Sequence, residues 1–151
     1  MSEQFHLAQL NIAHFKKPKE DEANMDFVSN LDKVNAEAES QDGFIWRLVG
    51  DGNDATGINP FGNESMIVNL SVWRDIESLS AFVYRNEIHR TIMRRRDEWF
   101  HHMDVYLVLW WVKAGHIPTV EEARDKLAVL QTNGPTADAF TFKSSFPAPV
   151  V

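Results

Sequence analysis

The chain has 151 residues, of which 44% are hydrophobic and 25% charged, as expected for a single globular domain with a buried core. Its formal net charge of −7 argues against binding to nucleic acid or to anionic membranes, and the absence of cysteine excludes disulfides and thiol chemistry. The first residues lack the layout of a signal peptide, and no apolar run is long enough to span a bilayer. We therefore expect a cytoplasmic protein.

The first part of the chain predicts a strand, a helix and a second strand. Hydrophobic residues alternate loosely from Phe5 to Phe15, which is typical of a strand. Apolar residues then recur at helical spacing from a predicted N-cap at Asn24 until Gly43 ends the helix. The second strand, 44–49, has Phe44, Trp46 and Leu48 on one face and Ile45, Arg47 and Val49 on the other.

A glycine- and asparagine-rich segment, Gly50 to Glu64, precedes the third strand and is a surface loop or a lid. The third strand, Met66 to Trp73, has the clearest alternation in the chain. One of its faces is entirely apolar, whereas the other carries Ile67, Asn69, Ser71 and Trp73. A half-polar face meets either solvent or a lined cavity.

The second half predicts two helical regions around a fourth strand. Asp75 caps a helix whose pattern breaks near Asn86 and resumes as far as Trp99. Val105 to Val112 is rich in β-branched and aromatic residues and predicts a strand. A capping box at 119–122 begins the last helix, which Gly134-Pro135 ends, and we expect a loose tail over 143–151.

The order of elements predicts an α+β, ferredoxin-like β-α-β-β-α-β sandwich followed by a C-terminal helix, as one domain over 1–151. A single sheet with helices on one face leaves the other face uncovered. The apolar face of the third strand, with Leu107, Leu109 and Trp111 on the fourth, therefore suggests cover by a second copy of the chain. We expect a homodimer in which the two sheets close into a dimeric α/β barrel.

Motifs spread over nearly the whole chain carry a family resemblance. They lie at 43–47, 69–73, 82–85 with His89, 96–100, 109–112, 114–119, 121–123 and 139–142. With these motifs the chain resembles a bacterial family, the domain of unknown function 3291 family, within the dimeric α/β-barrel superfamily. That superfamily includes antibiotic-biosynthesis monooxygenases, which form quinones without a cofactor, and haem-binding chlorite dismutases and dye-decolourising peroxidases. The resemblance implies a fold and a pocket between sheet and helices, but not a reaction.

The candidate site combines residues of the strands with residues of the long helical region. Those expected to bind substrate are Arg47, Asn69, Ser71, Trp73 and Trp99, and those expected to be catalytic are His89, Tyr84 and Arg96. An imidazole titrates near neutral pH, so His89 suits removal of a phenolic proton. The resulting phenolate reacts with O₂ without a metal. The sequence thus favours a cofactor-free, monooxygenase-like enzyme acting on an aromatic or polyketide-like ligand.

Each of these residues also has a purely structural interpretation. His89 suits a hydrogen-bonded, partly buried histidine, the tryptophans suit core or dimer-interface positions, and the arginines suit ion pairs with Asp97, Glu98 or another carboxylate. Asn69 and Ser71 equally suit solvent-facing positions on an edge, and Tyr84 suits a core position with its hydroxyl group satisfied. No ligand spacing predicts a metal site. Two further functions stay open: a haem-binding enzyme or carrier with His89 or His116 as the axial ligand, and a non-catalytic dimeric ligand-binding module.

Overall fold

The computed structural model describes residues 5–17, 21–48, 66–101 and 107–149. The predicted loop at 50–64 and the predicted strand start at 105–106 lie outside these residues. The strands are β1 (Phe5–His14), β2 (Phe44–Arg47), β3 (Met66–Trp73) and β4 (Leu107–Lys113). The helices are α1 (Met25–Glu39), α2 (Ile76–Arg85), α3 (Glu87–Arg94), α4 (Arg96–Trp99) and α5 (Val120–Asn133). Within the described ranges no helix has both the length and the apolar character needed to cross a membrane.

The four strands form one antiparallel sheet in the order β2-β3-β1-β4, which is the ferredoxin-like arrangement expected from the sequence. β1 lies in the centre and pairs along most of its length with β3 and β4. Its register places Gln9 opposite Ser71 and Asn11 opposite Asn69. Because side chains on directly opposed residues share a face, this register brings four polar side chains together on one face of the sheet.

Helices cover both faces of the sheet. Val68, Leu70 and Val72 are buried in one hydrophobic cluster with Leu127 and Leu130 of α5. The opposite face packs against the helices that precede β4. The expectation that a second subunit covers the apolar face of the third strand is therefore not met, because Val68, Leu70 and Val72 are already buried within one chain.

The other surface assigned to a partner, on β4, is covered by the C-terminal segment. Phe140 and Leu109 exchange two backbone hydrogen bonds of 2.8 and 2.9 Å, and both side chains are fully buried. The indole Nε1 of Trp111 donates a 2.8 Å hydrogen bond to the carbonyl oxygen of Phe146, whose ring packs against Phe140. The chain is thus docked as far as Phe146, in contrast to the loose tail expected over 143–151.

A bulge in β2 corrects the predicted faces of that strand. The register with β3 shifts between Phe44 and Trp46, so that Phe44 pairs with Trp73 and Arg47 pairs with Ser71. Phe44 consequently packs in the cluster beneath the helices, whereas Trp46 packs on the α5 side of the sheet. An extra residue in one strand turns the following side chains to the opposite face. The bulge therefore places Arg47 on the same face as Ser71.

Two of the three predicted caps accept a backbone hydrogen bond through the cap side chain, but the predicted capping box is only half formed, because the Glu122 carboxylate bonds to His116 and Trp110 instead. Asp75 Oδ1 accepts from the Ser78 backbone N–H at 2.8 Å, and Thr119 Oγ1 accepts from the Glu122 N–H at 3.1 Å. Asn24 occupies the N-cap position of α1 but makes no capping bond with its side chain. Asn24 is instead the last residue of a short 3-10 turn, Glu22–Asn24, which Asp21 caps and which leads directly into α1.

The contacts of His116 indicate a structural role for this residue. Its Nε2 lies 2.8 Å from Glu122 Oε1, and Trp110 Nε1 donates to the other carboxylate oxygen at 3.0 Å. Burial raises the pKa of Glu122, but the hydrogen bonds from His116 and Trp110 outweigh this effect and the pKa lies below its ordinary value. The Glu122 carboxylate therefore links the turn before α5 to β4 through these two hydrogen bonds.

Replacement of Gly43 by alanine is expected to destabilise the fold strongly. Gly43 has φ of +93°, and a Cβ there would overlap Ser78 Cβ and Oγ. The left-handed backbone alone costs roughly 1–2 kcal/mol for a residue with a side chain, and the overlap adds to this. Gly115→Ala is the matched control, because Gly115 has φ of +92° with no atom close to the added Cβ. Urea unfolding should show a clearly larger loss for Gly43→Ala, and equal losses would contradict this account.

Candidate functional site

A cavity of about 430 Å³ lies between the sheet and helices α1, α2 and α3. Its floor is the face of β1 and β3 that carries Gln9, Asn11, Asn69 and Ser71. The helices contribute mainly apolar side chains to the opposite side. Small-molecule sites in proteins are commonly apolar clefts of about 300–1,000 Å³ with a few placed polar groups. The cavity has both the size and the composition of such a site.

Seven of the eight predicted site residues line this cavity. They are Arg47, Asn69, Ser71, Trp73, Tyr84, His89 and Arg96. They come from β2, β3, α2, α3 and α4, so the fold gathers residues that are widely separated in sequence. The roles assigned to them stay predictions, since contact with a cavity does not by itself establish binding or catalysis.

Trp99 is the residue that the fold does not bring to the cavity. It is 1% exposed and packs against Phe27 and Phe100, with the Arg95 guanidinium 4.7 Å from its ring centroid. α3 ends at Arg94 and α4 begins at Arg96, which interrupts the helical phase that the sequence pattern assumes. Trp99 is therefore a core residue of this region and not part of the cavity lining.

Gln9 is the centre of a hydrogen-bonded ladder on the cavity floor. It is 3% exposed, and its Nε2 donates to Asn69 Oδ1 at 2.7 Å and to Ser71 Oγ at 2.8 Å. Its Oε1 accepts from Asn11 Nδ2 at 3.0 Å. Every polar atom of the Gln9 side chain is thus used, and a buried amide satisfied in this way holds its neighbours in fixed orientations.

Ser71 connects this ladder to the tryptophan that lines the cavity. Its Oγ accepts from Trp73 Nε1 at 2.9 Å as well as from Gln9 Nε2. Trp73 is 1% exposed and stacks on Phe82 of α2 at a centroid distance of 5.6 Å. The floor is therefore rigid, because its polar groups and its largest aromatic side chain each restrain the other.

His89 is positioned by a break between α2 and α3. Asn86 ends α2 and caps α3, and its Oδ1 accepts from the His89 backbone N–H at 3.0 Å. The His89 ring contacts Phe82, and its Nδ1 lies 3.1 Å from the carbonyl oxygen of Val83. A carbonyl oxygen only accepts, so Nδ1 carries the proton and Nε2 is the basic nitrogen of the neutral ring.

The surroundings of His89 keep its ring neutral. Burial lowers the pKa of His89 below its ordinary value of 6.5, and the hydrogen bond to the Val83 carbonyl only partly opposes this effect. At neutral pH the imidazole is therefore an unprotonated base beside an apolar cavity.

The outer part of the cavity carries the remaining predicted residues. Tyr84 is 57% exposed, and its ring meets Phe142 edge to face at 5.6 Å. Arg47 Nε lies 3.4 Å from Glu39 Oε2, so this arginine has the ion pair that its structural interpretation predicts. The carboxylate of Glu98 pairs with Arg95 and not with Arg96. The Arg96 guanidinium makes a long 3.4 Å contact to the Met93 carbonyl oxygen.

Sequence reasoning missed several polar residues of the cavity. Gln9 and Asn11 line its floor, Asn35 of α1 is buried beside it, and His101 lies at its edge. A signal for the first two was available, because alternation along β1 places both on one face with Leu7. Asn35 interrupts an apolar helical stripe, and no such pattern marks His101.

Across the described ranges, no three histidine, aspartate or glutamate side chains converge as a metal site would require. Among the described residues, the only ring hydrogen bond of His89 is to a backbone carbonyl, and no carboxylate contacts the ring. The cavity offers a neutral imidazole, amides, a hydroxyl and aromatic rings, together with the guanidinium groups of Arg47 and Arg96, the phenol of Tyr84 and the carboxylate of Asp97.

A family model matches residues 6–151, nearly the whole chain, and its description is "Domain of unknown function (DUF3291)". The chain belongs to this family. The resemblance inferred from the sequence motifs is thereby confirmed, and the family's own description assigns no activity. No curated protein matches the chain.

Solved structures with the same fold are distant in sequence. A conserved protein from Methanosarcina mazei Go1 is 15% identical with a TM-score of 0.52, and 74% of this chain aligns with 93% of that one. The protein PA3566 from Pseudomonas aeruginosa is 9% identical with a TM-score of 0.50, over 77% of this chain and 98% of that one. At such identities the likeness concerns the fold alone.

A third structure is that of SnoaB, a cofactor-independent oxygenase from Streptomyces nogalater. It is 14% identical with a TM-score of 0.44, over 76% of this chain and 96% of that chain. A superposition this weak carries no argument about the chemistry of the present protein. Its function has to be argued from the cavity itself.

Proposed function

We propose that the protein is a cofactor-free, monooxygenase-like enzyme that binds a flat aromatic or polyketide-like compound in the cavity between sheet and helices. The observation that carries this proposal is the state of His89. Its Nδ1 is held by the Val83 carbonyl, which leaves a neutral ring with a basic Nε2 at an apolar cavity. A general base of this kind contributes about 10²–10⁴-fold to a proton transfer.

The cavity suits a flat, mainly apolar ligand with a few oxygen atoms. Trp73 and Phe82 supply aromatic surface, and Asn69 and Ser71 supply hydrogen-bonding groups on the sheet side. Removal of a proton from such a ligand creates a negative charge, and hydrogen-bond donors aimed at that charge stabilise it. Asn69, Tyr84 and Arg96 are the candidates for this role.

The reaction is balanced with O₂ as the only co-reactant. His89 takes a proton from the ligand and leaves an enolate or phenolate, whose electron-rich ring carbon adds O₂. The hydroperoxide formed at that carbon receives a proton and loses water, which leaves a carbonyl group. Overall the enolate route converts a ring CH₂ to C=O, and the phenolate route converts a phenol with a ring C–H to a quinone; in both, one oxygen atom of O₂ enters the product and the other leaves in water. His89 returns to its neutral form at the end of the cycle.

Oxygen uptake with anthrone as the probe tests the proposal directly. Anthrone has a ring CH₂ that enolises, and its oxidation product, anthraquinone, is followed by absorbance. We expect oxygen uptake above the spontaneous rate, with one anthraquinone formed for each O₂ consumed. Binding of anthrone and related quinols without turnover would instead establish a non-catalytic binding module.

Haem is a rival ligand because the free Nε2 of His89 also suits an axial position on haem iron. His116, the other candidate axial ligand, does not line the cavity and is engaged by Glu122. A haemin titration with an absorbance scan separates the two proposals. A Soret band that co-elutes with the protein and disappears in His89→Ala would replace the oxygenase by a haem protein.

Self-association is a separate proposal. We propose a homodimer on the resemblance to the dimeric α/β-barrel superfamily alone, because the chain's own elements cover the two surfaces that sequence reasoning assigned to a partner. Light scattering on the eluting protein is expected to give the mass of two chains. A mass of one chain at micromolar concentration would contradict the dimer and leave the cavity proposal standing, since the described lining comes from a single chain.

A further inference from the structure

The direction of the hydrogen bonds on the cavity floor is fixed by one backbone carbonyl. An amide side chain can be turned by 180° without a change of shape, so its donor and acceptor ends have to be assigned from their partners. The side-chain nitrogen of Gln9 lies 3.3 Å from the Asn69 main-chain carbonyl oxygen, which only accepts. Gln9 therefore presents its NH₂ group to Asn69 and Ser71, and its oxygen to Asn11.

This orientation determines which atoms of Ser71 and Asn69 remain for a ligand. A hydroxyl oxygen has two acceptor positions and one proton, and Gln9 and Trp73 occupy both acceptor positions of Ser71. None of the hydrogen bonds found among the described residues uses the Ser71 proton. Asn69 Oδ1 is likewise occupied by Gln9, which leaves its NH₂ group. Both side chains line the cavity, so both offer it donors.

On α3, by contrast, the cavity wall carries an acceptor at His89. The proton of neutral His89 is taken by the Val83 carbonyl, and its remaining ring nitrogen, Nε2, accepts. The cavity thus has hydrogen-bond donors on the sheet and a basic acceptor on α3. A ligand satisfies both when it carries an acidic hydroxyl group at one end and an acceptor oxygen at the other.

We infer that the ligand is an aromatic hydroxy-ketone, whose hydroxyl group meets His89 and whose carbonyl oxygen meets the donors of Ser71 and Asn69. When the two groups are conjugated, loss of the hydroxyl proton moves negative charge onto the carbonyl oxygen. The donors on the sheet then stabilise the same anion that His89 creates. Gln9 is a positioning residue in this arrangement, because it fixes the direction of both donors. The inference deepens the proposed function and rests on it for the role of His89.

Three probes with one ring skeleton separate the two ends of the ligand. Tetralin has no oxygen, 1-tetralone has the carbonyl group alone, and 6-hydroxy-1-tetralone adds a hydroxyl group conjugated with the carbonyl. Binding is measured by NMR titration under nitrogen, so that no oxidation contributes. We expect 1-tetralone to bind at least about tenfold more tightly than tetralin, as one or two hydrogen bonds to a carbonyl would give.

Asn69→Asp is the sharpest variant for the sheet side. The carboxylate keeps the oxygen that accepts from Gln9 and replaces the free NH₂ donor by a second acceptor, with almost no change of shape. Asn69 is solvent-accessible, so the protein should tolerate the charge. We expect the preference for 1-tetralone over tetralin to disappear. Asn133→Asp, the same substitution at the exposed end of α5, is the charge control and should keep the preference.

Ser71→Ala is the second variant, and it should weaken 1-tetralone binding while leaving tetralin binding unchanged. The absorbance of 6-hydroxy-1-tetralone reports ionisation, because its phenolate absorbs at longer wavelength than the phenol. We expect the bound phenol to ionise at lower pH than the free phenol, and this shift to shrink in Asn69→Asp.

The outcomes distinguish this inference from the proposed function. Equal binding of tetralin and 1-tetralone, or a preference that survives in both Asn69→Asp and Ser71→Ala, would overturn the hydroxy-ketone assignment and leave the oxygenase untouched. A preference lost in those variants, in a protein that consumes no oxygen with anthrone, would support the assignment and overturn the oxygenase.

Discussion

His89→Ala is expected to lower the rate of oxygen uptake by about 10²–10⁴-fold, the usual contribution of a general base, without unfolding the protein. The ring is half-buried and its hydrogen bonds are local, to Val83 and through its backbone to Asn86. Steady-state oxygen consumption measures the effect, and circular dichroism checks the fold. His116→Ala is the matched control, because it removes a histidine that lies outside the cavity lining.

Addition of imidazole provides a second readout for the same variant. Alanine at position 89 leaves space for a small base in the cavity wall, so free imidazole should restore part of the lost rate. A residue with a purely structural role would give no such rescue. Unchanged turnover in His89→Ala would remove this residue from the mechanism altogether.

The pH dependence follows from the environment of the same ring. Burial lowers the pKa of His89 below 6.5, so the neutral base is already present at pH 6.5 and kcat/KM should fall only at lower pH. A pH profile of kcat/KM measures this limb, which should be absent in His89→Ala. A limb centred above pH 7 would contradict His89 as the base.

The free energy of unfolding also depends on the protonation of His89. Since the pKa of His89 is lower in the folded than in the unfolded protein, the unfolded state binds more protons between the folded value and 6.5. His89 therefore contributes stability that is fully present above pH 6.5 and is lost as the pH falls through the folded value. Urea unfolding of the parent protein and of His89→Ala over this range should show the difference.

The sequence predicted the floor of the cavity better than its helical side. Strict alternation along β3 was enough to place Asn69, Ser71 and Trp73 on one face, because strand side chains repeat every two residues. The same rule applied to β1 would have added Gln9. What the sequence could not supply was the register between β1 and β3, which pairs Gln9 with Ser71 and creates the hydrogen-bonded ladder.

Two features account for the main errors, a bulge in one strand and the packing of the last helix. The bulge in β2 moves Phe44 to the face opposite Trp46, and the alternation of apolar residues in 44–48 conceals it. The covering of the sheet was misjudged for a different reason. Helix α5 was predicted as an element, but only the tertiary packing shows that Leu127 and Leu130 belong to the same buried cluster as the apolar side chains of β3.

Substitution of Trp99 is expected to have the second large effect, a loss of stability. Trp99→Ala should lower the free energy of unfolding by about 3–5 kcal/mol, the usual cost of removing a large buried aromatic side chain. The indole is 1% exposed among Phe27 and Phe100, beneath the Arg95 guanidinium, and the Trp99 carbonyl oxygen accepts a 2.8 Å hydrogen bond from the Lys16 N–H. Urea unfolding measures the loss. Trp99→Phe, which keeps one ring, should lose distinctly less.

Binding of 1-tetralone by Trp99→Phe then decides whether Trp99 binds substrate, as the sequence predicted, or only packs in the core. The cavity lining does not include Trp99, so the dissociation constant for 1-tetralone should be unchanged wherever the variant is folded. Trp73→Phe is the informative comparison, because Trp73 lines the cavity and its Nε1 is hydrogen-bonded to Ser71. Weaker binding in Trp99→Phe at unchanged stability would restore Trp99 to the site. Weaker binding in Trp73→Phe alone would show that the aromatic contact to the ligand comes from the sheet. Trp99 would then be a core residue, as the interruption of the helical region at Arg95 indicates.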